Sequence, residues 1–406
     1  MRRIFVVIGL EVMAVFLAVS QWLQGIHTDE AKYVLNIPYP HPPLARFILS
    51  LTDGWAYQEL FWRIVFSTLV IQAVWLVRDM FKDRSREEKV YACAFWLLSP
   101  AVLLQAGSIM MAPLTALELL VFVWLYVRAR RVLGETGKAG DIWRIRDMWI
   151  GLWWLASLFT AYQAVLFAPL AWAAFRRDTP WRARMAVVYV ALPLLLLALY
   201  TFTNPLSLAS MALKQGQGAA GTLADKLHGA LLLWAFGGGV WAVLGIAGIF
   251  KWKQWELILT FLLITAYTAL SYFGYYAILF TPLFVAGLAQ FRLPRLWMTI
   301  LLVLQVGLMK LYFLPSGYPL PGPARAVMQE IRNNHLQGFV LIQGSFGHDW
   351  QYESVFPIRR YKKSLEKDAQ AVVCLPVCTE KIDETRWRQL AVAEPAKVYV
   401  KFAPPQ

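Results

Sequence analysis

Residues 1–44 decide how this chain is read: MRR (1–3), then IFVVIGLEVMAVFLAVSQW (4–22), then His27-Thr28-Asp29-Glu30-Ala31-Lys32-Tyr33 and Tyr39-Pro40-His41-Pro42-Pro43-Leu44. A basic cluster, a long apolar run and an acid- and proline-containing loop follow one another. About 20 mostly apolar residues cross the hydrocarbon of a bilayer. The run approaches that length and has no small-residue cleavage site after it, so it is expected to be a first anchor and not a signal peptide.

The rest of the chain agrees with that start. Of its 406 residues 59% are hydrophobic and only 16% charged, where a soluble domain carries about 25% charged residues. Mean hydropathy is +0.49. The 19 Trp, 17 Tyr and 24 Phe suit a protein with two water–lipid boundaries, where amphipathic rings settle. A net charge of +14 raises the question of nucleic acid. The Lys and Arg fall in short clusters between apolar runs, so they read as orientation signals and no nucleic-acid partner is expected.

Candidate spans are 4–23, 58–77, 90–106, 113–127, 148–160, 163–175, 185–203, 229–250, 255–272, 275–291 and 296–313, about eleven crossings at this length criterion. Charge alternation supports the parsing. With Arg2 and Arg3 cytoplasmic, the later inside loops hold Lys82, Arg84 and Arg86; Arg128, Arg130, Arg131, Arg144 and Arg146; Arg176, Arg177, Arg182 and Arg184; Lys251 and Lys253; Arg292 and Arg295. Every second loop is basic, as the positive-inside rule requires. The stretch 148–175 has basic flanks at both ends, which demands an even number of crossings. It is therefore divided around Thr160-Ala161-Tyr162-Gln163 into two short spans meeting at membrane depth.

Three segments are then extracytoplasmic: 24–57, 204–228 and the tail. The tail begins with a stiff linker, 314–323, containing Pro315, Pro319, Pro321 and Pro323. A helix-like stretch at 324–333 and strand-like runs at 338–343, 369–375 and 397–402 follow it. The expected fold class is an all-α polytopic membrane protein, its transmembrane domain at 1–313, with a small extracytoplasmic α/β domain at 324–406. Short loops lean towards a bacterial plasma (inner) membrane, with the tail periplasmic. Cys93 reads as a small buried hydrophobe. Cys374 and Cys378, four apart, are read either as a disulfide or as free thiols; a zinc site would need two more ligands, and none stands at ligand spacing.

Chemistry concentrates in the first outside loop. Asp29 and Glu30 are adjacent carboxylates just past a transmembrane helix, where facing lipid is costly. Solvated loop charge is one reading of them. The company of Lys32, His27, His41, a proline-rich turn and an amphipathic stretch at 44–51 favours the other, an active site at the membrane surface.

These residues also carry a resemblance. Asp29-Glu30 followed by His41-Pro42-Pro43-Leu44 resembles the first-loop signature of the GT-C fold membrane glycosyltransferases, of the protein O-mannosyltransferase and aminoarabinose transferase kind. In order along the chain, Phe61-Trp62-Arg63 is similar to the family's Arg near the second helix. Trp96-Leu97-Leu98-Ser99-Pro100 is similar to its Leu-Ser-Pro helix. Leu158-Phe159-Thr160-Ala161-Tyr162-Gln163 with Leu166-Phe167-Ala168-Pro169-Leu170 is similar to its Leu-Thr-Lys-Tyr…Leu-Pro turn. Tyr276-Ala277-Ile278-Leu279 with Pro282-Leu283 is similar to its Arg-Tyr-Leu-Leu-Pro segment.

The resemblance covers about residues 1–290. It implies a sugar donor on a polyprenyl phosphate and a periplasmic or cell-surface acceptor, with Asp29 as base and Glu30 beside it as a second candidate. Lys32, His41 and Arg63 would meet the donor phosphate, a guanidinium being suited to bidentate phosphate contacts. Tyr162, Tyr275 and Tyr276 stand at the matching binding positions. The chain departs from the pattern at three charges. Met110-Met111-Ala112-Pro113 replaces an Asp, Ala161 a Lys and Tyr275 an Arg; Lys214, Lys226 and His228 are the cations that could substitute.

Two other functions are weighed against this one. A catalytically degenerate GT-C-like subunit, serving as a structural or interaction component of a larger membrane complex with other membrane subunits, is favoured by the missing charges. A transporter is disfavoured because no pair of Gly/Pro-broken helices recurs in two matching halves. A divalent cation is left open as a cofactor, although one acid pair alone is a poor site for it.

Overall fold

In lipid every backbone N–H and C=O must find a protein partner, so apolar runs become helices, and any break in them needs side chains to replace the lost bonds. The computed structural model describes residues 2–37, 41–135, 142–175, 180–208, 222–251, 254–270, 273–313, 322–333, 338–344, 346–354, 356–366, 368–375, 378, 380, 382–383, 385–390 and 396–401. Tyr39, Pro40, Arg176, Arg177, Lys214, Lys253, Pro315, Pro319 and Pro321 lie outside the described residues. The chain forms two compact units. One comprises Met1–Ala18, Pro38–Leu51 and Trp62–Ser316, the other Val19–Ile37, Thr52–Phe61 and Gly317–Gln406.

Among the described residues four helices are long and apolar enough to cross a membrane: Ile4–Gln24, Gln58–Met80, Met111–Arg128 and Leu223–Lys251. Shorter apolar helices are Met148–Thr160, Tyr162–Phe175, Val187–Thr203, Trp255–Leu270 and Gly274–Leu288. The division expected inside 148–175 is present. The helix Ile142–Thr160 stops, Ala161 is extended (φ −153°), and a 3₁₀ turn, Tyr162–Phe167, leads into the helix Ala168–Phe175.

Two stretches expected to run straight are broken. The 90–106 run forms two helices, Arg86–Leu97 and Pro100–Gln105, because Pro100 has no N–H to donate and Ser99 takes the N-cap position. The 229–250 run breaks at Gly239, whose φ of +58° suits glycine, into Leu223–Gly238 and Ala242–Lys251. Buried neutral side chains satisfy the exposed backbone. The Gln305 amide donates to the Leu98 carbonyl (2.7 Å) and accepts the Val240 N–H (3.0 Å). Ser99 and Thr281 hydroxyls both donate to the Gly237 carbonyl, at 2.8 and 2.7 Å. Small residues then allow the helices Ala242–Lys251 and Phe280–Leu288 to touch backbone to backbone. A Cβ on Gly248 would stand 2.0 Å from the Gly287 carbonyl oxygen, and one on Gly287 1.9 Å from that of Gly245.

In the second unit a five-stranded sheet has the order β2-β1-β3-β5-β4, with β1 Val340–Gly344, β2 Ile358–Arg360, β3 Ala371–Leu375, β4 Trp387–Leu390 and β5 Lys397–Lys401. β1 pairs in parallel with β2 and β3, while β5 runs antiparallel to β3 and β4. Alternation places Val340, Ile342, Val373, Val398 and Val400 in one cluster with Val327, Met328 and Ile331 of the helix Pro323–Asn333. Leu341, Val372, Tyr399 and Trp387 form the opposite cluster. Three of the strands fall where the sequence predicts them. Cys374 and Cys378 are joined as a disulfide, Cα atoms 4.8 Å apart.

Candidate functional site

The acid pair begins a short helix, Thr28–Val34, in the second unit. Its N-terminal N–H groups need acceptors, and this need divides the two carboxylates. Glu30 is wholly buried and turns back to accept the His27 N–H at 2.9 Å, closing a capping box. Asp29 points out of the first turn. Its side chain is about a third exposed (34%), and Lys32 Nζ donates to it at 2.8 Å. Asp29 is therefore the reachable carboxylate of the two, and Lys32 is its partner. Negative charge there is also favoured by the helix N-terminus.

The same unit fixes this helix with a buried ion cluster that the sequence did not reveal. Thr28 Oγ1 donates to Asp349 Oδ1 (2.5 Å), and Gly347 packs so closely that a Cβ on it would meet Thr28 Oγ1 at 2.2 Å. Ile26 N–H donates to Glu353 (3.3 Å). Arg325 Nε donates to Glu353 Oε1 (2.9 Å) and its Nη2 to Glu59 Oε2 (2.6 Å), while the guanidinium lies 5.6 Å from the Trp22 ring centre. Glu59 and Glu353 are buried. Burial pulls the Arg325 pKa down, but the hydrogen bond it donates to Glu353 and the charge of Glu59 more than offset it and hold the guanidinium above its ordinary value.

The remaining sequence-predicted residues lie in the helical unit, and the structure brings several of them together. The His41 ring centre is 6.3 Å from that of Tyr162, and Tyr162 shares a hydrogen bond with Ser207 (2.6 Å). Gln163 donates to the hydroxyls of Tyr276 (2.9 Å) and Tyr267 (3.0 Å), which lie 3.2 Å apart. Tyr275 packs edge-on to Tyr276 and stacks on Phe273. Where the family pattern has cations, at positions 161 and 275, this chain has a small residue and a tyrosine within an aromatic and amide cluster.

Arg63 is 1% exposed and donates to the Gly107 carbonyl (3.1 Å), in the non-helical stretch between the helices Pro100–Gln105 and Met111–Glu135. A guanidinium keeps its charge even when buried, so it is a fixed cation inside the bundle. Glu118 is a buried acid that sequence reasoning did not single out. It is 8% exposed within the Met111–Arg128 span, and Oε2 has no hydrogen bond among the described residues. The signal was present, since an acid inside an apolar span is costly and marks a site.

An apolar groove of about 800 Å³ is lined by Pro43, Leu44 and Phe47, by Leu152 and Phe159, and by Leu199 and Tyr200. Its lining includes Pro43, two residues past His41 in the chain, and Phe159, three residues before Tyr162. Among the described residues no group of three or more His, Cys, Asp or Glu could hold a metal ion.

No protein-family model matches the sequence, and no curated protein matches it. Solved structures do match in fold. ArnT from Cupriavidus metallidurans, in the apo state, superposes over 100% of both chains with a TM-score of 0.60 at 12% identity. The archaeal oligosaccharyltransferase AglB from Archaeoglobus fulgidus, in complex with an inhibitory peptide and a dolichol-phosphate, covers 92% of this chain and 69% of its own with a TM-score of 0.50 at 11% identity. The chain therefore has the GT-C fold of membrane glycosyltransferases.

Proposed function

We propose that the protein is a glycosyltransferase that moves a sugar from a polyprenyl-phosphate donor to an acceptor hydroxyl outside the cytoplasm. The carrying observation is the 800 Å³ apolar groove next in the chain to His41 and Tyr162, on a GT-C scaffold. The AglB complex, of the same fold, contains a dolichol-phosphate, a lipid of this donor class. The groove takes the isoprenoid chain, and its amphipathic wall, the helix Leu44–Ser50, faces that chain with Leu44 and Phe47.

In the reaction Asp29 accepts the proton of the acceptor hydroxyl. The acceptor oxygen forms a bond to the anomeric carbon, the bond from that carbon to the phosphate oxygen breaks, and polyprenyl phosphate leaves with inversion. Lys32 orients the Asp29 carboxylate through their 2.8 Å contact. Glu30 has a positioning role through its cap on His27. Arg63 and His41 act on the donor phosphate. Tyr162, Tyr275 and Tyr276 shape the binding surface. The about eleven crossings, a cytoplasmic N-terminus, an extracytoplasmic domain at 324–406 and a bacterial inner-membrane location complete this reading.

The test is an Asp29→Asn chain expressed in place of the original, with mass spectrometry of the cell-surface glycans. Loss of one glycan modification at unchanged protein level, by about a hundredfold or more given the usual contribution of a general base, supports the reading. An unchanged glycan profile sinks it. One observation favours a second reading, a GT-C scaffold that joins a larger membrane complex without catalysis: neutral Gln163, Tyr267 and Tyr276 hydrogen-bond one another around two positions where the family has cations. On that reading the Asp29→Asn chain still co-purifies with its complex and the glycans do not change.

A further inference from the structure

A second groove, of about 610 Å³, opens elsewhere on the helical unit, between the N-terminal helix and the antiparallel pair formed by the helices Val74–Met80 and Arg86–Leu97. Its polarity is graded. On the helix Arg86–Leu97 the lining residues follow one stripe at helical spacing, from Arg86 and Lys89 to Cys93 and Leu97. On the facing helix the order reverses, with Val74 and Trp75 deep and Arg78 beside the turn. All three cations therefore stand at the turn end, and an apolar slot runs away from them for about 12 Å at 1.5 Å per residue.

Three of the four acids around that turn, all but Asp83, have partners other than these cations. Glu87 pairs with Arg295 (3.4 Å), Glu88 with Arg84 (3.8 Å), and Asp79 accepts the Trp124 indole N–H (2.7 Å). Among the described residues Arg78, Arg86 and Lys89 have no carboxylate partner; the Arg78 guanidinium lies 5.4 Å from the Trp75 ring centre. Three such cations at the end of an apolar slot match one ligand chemistry, an anionic head on an acyl chain.

We propose that this groove binds an anionic glycerophospholipid of the cytoplasmic leaflet, its phosphate held by Arg78, Arg86 and Lys89 and one acyl chain lying along Leu10, Val74 and Leu97. The leaflet assignment rests on the orientation given under Proposed function; the binding itself does not. The site shares no residue with the donor groove.

The experiment uses the full chain in nanodiscs of defined composition, read by native mass spectrometry for retained lipid. Wild type is expected to retain phosphatidylglycerol over phosphatidylcholine. The variant Arg78→Gln/Arg86→Gln/Lys89→Gln is expected to lose that preference, by about fivefold for each charge removed. Leu10→Trp, which fills the slot and leaves every charge in place, is expected to reduce retention as well. Equal retention of the two lipids by wild type, or an unchanged preference in the triple variant, overturns the site. Displacement of the lipid by 10 mM inorganic phosphate, at which the Debye length is still about 30 Å and screening is weak, overturns the acyl half. Side-specific maleimide labelling of Asp83→Cys in a Cys93→Ala background reads the orientation separately, so a wrong leaflet and a wrong site give different results.

Discussion

Two places in the molecule, one in each unit, handle buried polarity in opposite ways. In the helical unit, backbone groups freed by the breaks at Ser99-Pro100 and Gly239 are satisfied by neutral side chains: Gln305, Ser99 and Thr281. In the sheet-bearing unit, a fully charged cluster of Arg325, Glu59 and Glu353 does the equivalent work for the loop that carries Asp29. Burying a charge costs several kcal/mol even after relaxation, and a neutral amide or hydroxyl much less. The neutral solution is the economical one where lipid surrounds the structure. The charged one gives a cluster that fails abruptly when one member is removed, because the others remain buried and uncompensated.

The largest effect expected from this contrast is at Arg325. Replacing Arg325 with Met leaves Glu59 and Glu353 buried without their cation and costs the second unit about 3–5 kcal/mol. Hydrogen exchange should show protection lost in residues 26–34 and 323–333 together. Protection lost in 323–333 alone would show that the cluster does not hold the first loop.

Removing the neutral bridge should cost less. Gln305→Leu keeps the volume and leaves the Val240 N–H and the Leu98 carbonyl unpaired, a loss of about 1–3 kcal/mol for each buried group left unsatisfied. The readout is the unfolding midpoint of purified protein in a mild detergent. A fall as large as that of Arg325→Met would remove the distinction drawn between the two units.

Much of this structure was legible because it depends on local pattern. Apolar length gave the helices, and basic flanks on 148–175 forced the break observed at Ala161. Short apolar, β-branched runs marked β1, β3 and β5. The strands missed, β2 and β4, are short and carry Arg359, Arg360 and Arg388, so their composition reads as exposed loop. The breaks at Ser99-Pro100 and Gly239 interrupt runs whose hydropathy is continuous, and hydropathy is blind to a missing backbone bond. The ion cluster was beyond reach because Glu59 and Arg325 are 266 positions apart, and no pattern in one sequence pairs residues at that distance. At the site, the sequence offered Asp29 as base with Glu30 beside it as a weaker candidate. Their difference in exposure arises only when the helix Thr28–Val34 forms and takes Glu30 for its cap.

The smallest expected effect separates fold from function in that helix. Lys32→Met removes a contact that is partly exposed, with side chains 20% and 34% accessible. Such pairs contribute about 0–1 kcal/mol, screened by salt, so stability should change little and less at high ionic strength. Activity answers differently if Lys32 sets the direction of the Asp29 carboxylate. Transfer should then fall through kcat with KM nearly unchanged, and Lys32→Arg should restore part of it, because a guanidinium can reach the same oxygen. A Lys32→Met chain with full transfer would reduce the pair to a surface contact and leave Asp29 without an orienting partner. A stability loss matching that of Arg325→Met would place the pair in the buried cluster, contrary to the exposure of both its members.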